Sequence, residues 1–247
     1  MPFRILIYCF LLACCAGCAA TTAQVNKPAA TNFKEGEELY QKKNYEDAIS
    51  RWKKVKESTN VSTEMTAMAD LKIADAQFAG KNYIEAGASY ESFRKFHPNN
   101  AMAPYALFRL GLCNYNQITG IDTDQTPVTN TVEAFESFLR QYPSSEYAHE
   151  AREKLADCYV KQVQHEIYIG RFYLRFGKYK AAVKRLEECL ARYPQSPILD
   201  EALFYLEKAY LLNGEKEKGQ VTFNRLLIRF PTSKHLKDAE KYLKKYD

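Results

Sequence analysis

The 247-residue sequence predicts an all-α solenoid of about five helix–turn–helix repeats that ends in a C-terminal capping helix. Three observations predict this fold class. An aromatic residue followed by proline recurs four times, a short turn phrase ending in tyrosine recurs three times, and apolar residues between these marks are three or four positions apart. Because the alternation typical of strands is missing from the sequence, we expect no sheet.

The aromatic–proline phrases mark the ends of helices. They stand at residues 96–98, 141–143, 192–194 and 229–231. The residue before a proline is pushed out of the α region, so each phrase should stop the helix that precedes it. Ser or Thr follows the proline in segments 143–145, 194–196 and 231–233. We expect these hydroxyl groups to cap the next helix by accepting one of its free N–H groups.

The tyrosine phrases mark turns inside pairs of helices. They stand at residues 43–45, 81–83 and 177–179. Asn and Gly in these phrases tolerate the backbone geometry of a short helical hairpin. Paired helices repeated along a chain resemble tetratricopeptide repeats, which predicts a tetratricopeptide-like scaffold over residues 32–247. The units are longer than the usual 34 or so residues, because of an insertion at 119–129 and a long helix through Val163 and Tyr173.

The final helix should begin near Ser233 and cap the array. Its lysines lie along one side: Lys234, Lys237, Lys241, Lys244 and Lys245. A terminal repeat needs a solvated outer face, and these lysines supply one. A basic docking face for an acidic partner or anionic lipid is a second, compatible interpretation.

The formal net charge of +5 belongs to the last third of the chain. Residues 174–247 hold 16 Lys and Arg against 10 Asp and Glu, whereas residues 1–173 hold 19 against 20. A mild basic excess suits an acidic protein partner or a membrane surface. Acidic residues dilute it too strongly for a nucleic-acid stripe, so we expect no nucleic-acid partner.

The first residues predict a lipoprotein signal peptide over residues 1–17. Arg4 is the only charged residue before Lys27, and an apolar run begins at Ile5. The run is short for a membrane-spanning helix and matches the hydrophobic region of a secretory signal.

The apolar run ends in Ala-Gly-Cys, which resembles the bacterial lipobox and makes Cys18 the predicted lipidation site. Cys14 is an alternative site, and an ordinary signal peptide without lipidation is a third possibility. By resemblance to sorting rules in enteric bacteria, Ala19 after the cysteine favours the outer membrane. Residues 18–31 are small and polar, and they predict a flexible lipidated tether.

The remaining cysteines and the histidines do not form a catalytic or metal-binding pattern. Cys113, Cys158 and Cys189 contain no CxxC spacing, and we expect all three to be buried apolar residues without a disulfide. Neither His-Glu dipeptide is followed by the second histidine of HExxH, and phosphate-binding glycine motifs are missing. The sequence therefore predicts a binding protein rather than an enzyme, with no cofactor and no metal.

Residues 131–194 contain the most specific motifs. They are Ala134-Phe135-x-x-Phe138, Tyr142-Pro143-x-Ser145-x-Tyr147-Ala148, His165-Glu166-x-x-Ile169-Gly170-x-Phe172-Tyr173 and Tyr179-x-Ala181-Ala182-x-x-Arg185. With the lipobox and the irregular repeats, they resemble the BamD family. Its members are lipoprotein subunits of the machinery that inserts β-barrel proteins into the outer membrane.

The resemblance implies a scaffold with two halves. Residues 121–247 would dock on the periplasmic POTRA domains of a BamA-like barrel protein, and residues 32–120 would receive unfolded outer membrane proteins. The family arginine that contacts the POTRA surface falls on Arg185. Other assembly lipoproteins are implied as partners. The lipid anchor would hold the protein in the inner leaflet of the outer membrane, on the periplasmic face.

The first repeat departs from the family pattern, since it reads Glu-Ser-Thr-Asn at residues 57–60 where better-known members have a Tyr-Pro loop. Candidate aromatic residues for a substrate pocket are Tyr40, Tyr45, Tyr83 and Tyr90. Two rival functions remain open. One is another outer membrane repeat lipoprotein, such as a pilus-assembly pilotin or a Tol-Pal or cell-envelope adaptor. The other is an enzyme-associated repeat domain in peptidoglycan metabolism.

Overall fold

The computed structural model describes residues 27–246, and this part of the chain is helical with connecting loops and no strand. Its eleven helices are α1 (Ala29–Gln41), α2 (Tyr45–Lys56), α3 (Thr63–Ala79), α4 (Tyr83–Phe96), α5 (Ala103–Tyr115), α6 (Thr126–Gln141), α7 (Ala148–Arg175), α8 (Tyr179–Arg192), α9 (Leu199–Leu212), α10 (Lys216–Arg229) and α11 (Leu236–Tyr246).

The helices stack as five consecutive pairs, and α11 closes the last pair by packing on both α9 and α10. Each helix packs against the next, and the first helices of successive pairs also meet, α5 with α7 and α7 with α9. The predicted all-α solenoid with a capping helix is confirmed. The cap begins at Leu236 rather than near Ser233, because the Ser233 hydroxyl accepts the N–H of His235 at 3.1 Å and holds a turn there.

The turns within the pairs lie where the tyrosine phrases predict them, but the left-handed residue is the first of each phrase. These residues are Lys43, Lys81 and Gly177, with φ of 61°, 64° and 69°. Asn44 and Asn82 have negative φ and directly precede α2 and α4, so the expectation that asparagine takes the unusual geometry was wrong. A fourth turn of this kind lies at Gly214, with φ of 82°, between α9 and α10.

The aromatic–proline phrases end α4, α6, α8 and α10 as predicted, but the following Ser and Thr residues do not cap helices. Ser145 accepts the N–H of Tyr147 at 3.3 Å, which closes a turn before α7 begins. No side-chain cap is present at the start of α7 or α9. The predicted capping was wrong because each helix begins later than the proline spacing suggests.

The first helix begins inside the segment 18–31, for which the sequence predicts a tether. α1 starts at Ala29, and the Asn32 side chain is buried and donates to the Lys27 carbonyl at 3.1 Å. Lys27 also forms an ion pair with Glu35. The small polar composition hides these contacts, so the predicted tether extends too far; residues 18–26 lie outside the described part.

The long helix and the insertion are joined to each other. α7 has 28 residues, as its position through Val163 and Tyr173 predicted. The insertion is shorter than residues 119–129, because α6 already begins at Thr126, where Asp124 accepts the backbone N–H at 2.9 Å. His165 on α7 donates through Nδ1 to the Ile121 carbonyl at 2.5 Å and holds the loop against the helix.

Large aromatic side chains fill the spaces between helices. Trp52, Tyr90, Phe135 and Phe138 are fully shielded from solvent. Since each such side chain buries about 150–250 Å², the aromatic surplus of the sequence goes largely into helix interfaces. The three cysteines in the described residues, Cys113, Cys158 and Cys189, are free and buried, as predicted, and burial raises the pKa of each thiol to about 12.

A buried carboxyl interrupts the last part of the core. Glu207 on α9 is fully buried, and neither of its carboxyl oxygens has a hydrogen-bond partner among the described residues. Burial raises the pKa of this carboxyl to about 8. The folded state therefore keeps a proton that the unfolded chain releases near its ordinary pKa of about 4.3, so stability falls as pH rises between these two values.

We expect Glu207→Gln to flatten this pH dependence, because an amide does not ionise. Between pH 5 and pH 8 the wild-type protein should lose up to about 1.4 kcal/mol of unfolding free energy per pH unit through this group. Urea unfolding followed by circular dichroism at both pH values measures the loss. Glu217→Gln, at an exposed glutamate of α10, is the control and should change nothing. Equal pH dependence in Glu207→Gln and the wild type would contradict the assignment.

Two helical glycines offer a matched test of packing. A Cβ at Gly111 on α5 would lie 2.4 Å from the buried Phe135 ring, whereas one at Gly87 on α4 would make ordinary contacts of 3.6 Å with Cys113 and Leu110. We expect Gly111→Ala to destabilise by about 1–3 kcal/mol. Gly87→Ala should be neutral or stabilising by up to about 1 kcal/mol, because Ala favours the helix. The midpoints of urea unfolding measure both changes. A Gly111→Ala variant as stable as the wild type would show that α5 and α6 can move apart at low energetic cost.

Candidate partner-binding surfaces

Arg185 lies on α8 and pairs across the helix interface with Glu166 of α7. Its Nε is in close contact with Glu166 Oε2, in the geometry of an ion pair rather than of an aligned hydrogen bond. The Glu166 side chain is 11% exposed and the Arg185 side chain 36% exposed. Arg185 therefore holds a nearly buried carboxylate with one edge and keeps part of its surface open to solvent.

A second arginine of α8, Arg192, lies about two helical turns beyond Arg185. Both arginines act on the thiol of Cys189. Burial raises the pKa of this thiol most, the charge of Glu166 raises it further, and the charges of Arg185 and Arg192 lower it. Of these two arginines, Arg185 is the one in contact with Glu166. The exposed part of Arg185 offers positive charge to a carboxylate on an acidic partner surface.

The His165-Glu166 dipeptide now has a structural explanation. His165 binds the insertion loop through Ile121, and Glu166 binds α8 through Arg185. Two adjacent side chains of α7 thus point to different neighbours and fix both. The sequence shows the dipeptide but not its partners, which lie 44 and 19 positions away.

In the N-terminal half, Asp75 of α3 gathers side chains from two further helices. Tyr90 of α4 and Tyr105 of α5 donate to the same oxygen, Asp75 Oδ1, at 2.6 and 2.8 Å. Arg109 of α5 donates through Nε to the Tyr90 hydroxyl at 3.1 Å, and its guanidinium lies 3.7 Å from the Phe78 ring centroid. Burial, followed by the charge of Asp75, raises the pKa of both tyrosines, so both hydroxyls stay protonated and donate.

The four candidate pocket aromatics have different environments. Tyr90 is fully buried, so it builds the scaffold and does not line a pocket surface. Tyr40, Tyr45 and Tyr83 are partly buried, and Tyr40 and Tyr45 pack against each other at 5.5 Å between ring centroids. Sequence reasoning missed Asp75 and Arg109. The signal for Asp75 was a carboxylate between alanines at 74 and 76, on a stretch of helix that is otherwise largely apolar.

A family model described as YfiO, outer membrane lipoprotein, matches residues 25–226, which is most of the chain. The chain belongs to the YfiO family of outer membrane lipoproteins. This family membership agrees with the resemblance drawn from the motifs of residues 131–194.

Curated relatives of this YfiO-family chain carry the name outer membrane protein assembly factor BamD. The protein from Caulobacter vibrioides is 28% identical over 233 residues, covering 92% of this chain and 76% of its own length. The protein from Rickettsia prowazekii is 29% identical over 219 residues, covering 89% of this chain and 87% of its own length. Among solved structures, the TPR2AB domain of yeast Sti1 aligns with a TM-score of 0.41 at 15% identity, covering 88% of this chain and 85% of that one.

The predicted lipidation site of this YfiO-family chain, Cys18, and its alternative, Cys14, lie outside the described residues. Within residues 27–246, no helix is long and apolar enough to cross a membrane. No group of three or more potential metal ligands occurs there either.

Proposed function

We propose that this protein is a lipid-anchored scaffold for outer membrane protein assembly, held on the periplasmic face of the outer membrane through Cys18. Residues 121–247 dock on the POTRA domains of a BamA-like barrel protein, and residues 32–120 receive unfolded outer membrane proteins. Other assembly lipoproteins bind the same scaffold. The protein acts by binding rather than by catalysis.

The observation that carries this proposal is the extent of the family match. It spans residues 25–226, from before α1 into α10, so it includes the first four helix pairs and most of the fifth. Relatives in Caulobacter, Rickettsia and Neisseria are all named as assembly factors for outer membrane proteins. A stack of helix pairs suits the role, because it presents a long surface on which several partners find separate sites.

Arg185 is the proposed contact with the barrel protein. Its partly open guanidinium, anchored by Glu166, is oriented before a partner arrives, and an oriented arginine loses less conformational freedom on binding. Arginine also forms two parallel hydrogen bonds with a carboxylate, so an acidic residue on the POTRA surface is the expected counterpart.

Affinity purification of the full protein from its native outer membrane tests the function. We expect a POTRA-containing barrel protein to be recovered in near-equal amount, identified by mass spectrometry. Pilus or Tol proteins recovered in its place would overturn the assignment.

The variants that test Arg185 must separate an effect on docking from an effect on folding. Arg185→Glu does not, because it would place a second carboxylate beside Glu166 and destabilise the fold by repulsion. We expect Arg185→Gln to weaken binding of the barrel protein by about tenfold or more. Glu166→Gln retains the arginine and should weaken binding much less, because only the orientation of the guanidinium is lost. The double variant Arg185→Gln/Glu166→Gln leaves no unpaired charge and should still bind weakly. Recovery of binding in the double variant, measured by interferometry, would reduce Arg185 to a structural role.

The lipid anchor is tested at the two candidate cysteines. Cys18→Ala should abolish the mass increase due to acyl chains and release the protein from membrane pellets, because several chains are needed for stable anchoring. Cys14→Ala should leave both unchanged. Intact-protein mass spectrometry distinguishes the sites, and acylation that survives in Cys18→Ala but not in Cys14→Ala would move the anchor to Cys14.

A further inference from the structure

An open groove lies between the C-terminal part of α7 and the helix α9. Its volume is about 680 Å³, and six of its lining side chains matter here: Arg171, Arg175, Lys208, Tyr168, Phe172 and Tyr205. We call it the α7–α9 groove. It joins cationic and aromatic side chains from two helices, and the nearest lining residues of the two, Arg175 and Tyr205, are thirty positions apart in sequence.

The groove carries uncompensated positive charge. Arg171 lies 3.8 Å from Glu201, and this is a partly exposed pair. Arg175 and Lys208 have no carboxylate within ion-pair distance among residues 27–246. A recess with an excess of one charge concentrates ions of the opposite sign, because its walls limit screening by water.

The aromatic side chains of the groove are more exposed than such residues usually are. Tyr168 is 40% and Phe172 44% exposed. Phe176, whose ring centroid lies 4.6 Å from that of Phe172, is 55% exposed. Arg171 lies over the Tyr205 ring at 5.2 Å, and Lys208 lies over Tyr242 at 4.5 Å. These contacts hold Arg171 and Lys208 against ring faces, while the partly exposed Tyr168 and Phe172 line the groove.

The groove and Arg185 lie on different faces of the fold. With 100° between successive residues of a helix, Tyr168, Arg171 and Arg175 share one face of α7. Gly170 lies on the face that packs on Leu186 of α8, where the Glu166–Arg185 pair is also found. Loss of the groove is therefore separable from loss of the Arg185 contact.

We propose that the α7–α9 groove binds an acidic segment of a partner polypeptide that carries an apolar side chain between its carboxylates. The cations would hold the carboxylates, and the rings of Tyr168 and Phe172 would cover the apolar side chain. The seven steps from Tyr168 to Arg175 span about 10 Å of helix, which matches about three residues of extended chain. A recess of this size admits a polypeptide segment, whereas a bilayer surface is too broad to enter it.

The binding test uses the full protein in detergent and a capped, fluorescein-labelled peptide in which glutamates flank a phenylalanine. We expect saturable binding by fluorescence polarisation that weakens as salt is raised. A peptide with Gln in place of every Glu, and another with Ala in place of Phe, should each bind about tenfold more weakly.

Variants locate the binding on the groove. Arg175→Gln/Lys208→Gln should lower the affinity for the glutamate–phenylalanine peptide by about tenfold. Phe172→Ala should also lower the affinity for this peptide, but it should not change the affinity for the peptide with Ala in place of Phe. The control is Lys180→Gln/Lys184→Gln, which removes two exposed lysines of α8 and should bind as the wild type does. Circular dichroism and urea midpoints check that every variant is folded.

Three results would overturn the proposal. The first is equal binding of the glutamate and glutamine peptides, and the second is equal binding by the groove variant and its α8 control. The third is no peptide binding together with groove-dependent binding of vesicles that contain anionic lipid. None of these measurements uses the barrel protein, so a negative result would not contradict the proposed assembly function, on which the groove proposal does not depend. Likewise, an affinity purification that recovers no barrel protein would not contradict peptide binding in the groove.

Discussion

A helix pair of this chain cannot bury its apolar face alone, and the need to stack on the next pair determines the rest of the structure. The buried residues form four successive clusters, each shared by neighbouring helices, rather than one central core. The first cluster lies around Trp52 and the last around Leu203. Because contacts stay between neighbours, both sides of the stack remain accessible along its length, and separate partners can occupy separate helices.

The long helix α7 connects the two halves of this stack, because it packs against helices of both. Its N-terminal part packs against α5 and α6, its later turns against α8 and α9. His165 and Glu166 hold the insertion loop and α8, while Arg171 and Arg175 on another face open into the α7–α9 groove. One helix thus carries structural contacts on one side and two partly exposed arginines on the other, of which Arg171 pairs with Glu201. Its unusual length allows both.

Local sequence signals predicted the repeats well. Proline after an aromatic residue and the turn phrases act within a few residues of themselves, so the ends of α4, α6, α8 and α10 could be placed. Contacts between distant residues could not be predicted in this way. At the start of α1, Asn32 donates to the Lys27 carbonyl and Glu35 forms an ion pair with Lys27. The small, polar composition of this segment does not reveal these contacts.

The candidate site was predictable only to the level of residue type. The motif containing Arg185 identified a charged residue on α8, but not the carboxylate of Glu166 that holds it. Helical spacing likewise gave no sign that Glu207 is buried, since a glutamate on α9 is compatible with a solvated face. Both cases depend on which helix packs against which, and that information appears only in the assembled stack.

The left-handed turn residues make the two ends of the solenoid unequal. In the α1–α2 and α3–α4 turns the residue is a lysine, whose Cβ makes positive φ cost about 1 kcal/mol, whereas the α7–α8 and α9–α10 turns use glycine. The C-terminal end is also covered by α11. Backbone strain is thus concentrated toward α1, so partial opening of the native stack should begin there and spread inward one pair at a time. The half proposed to receive unfolded chains is then the half whose helices separate most readily.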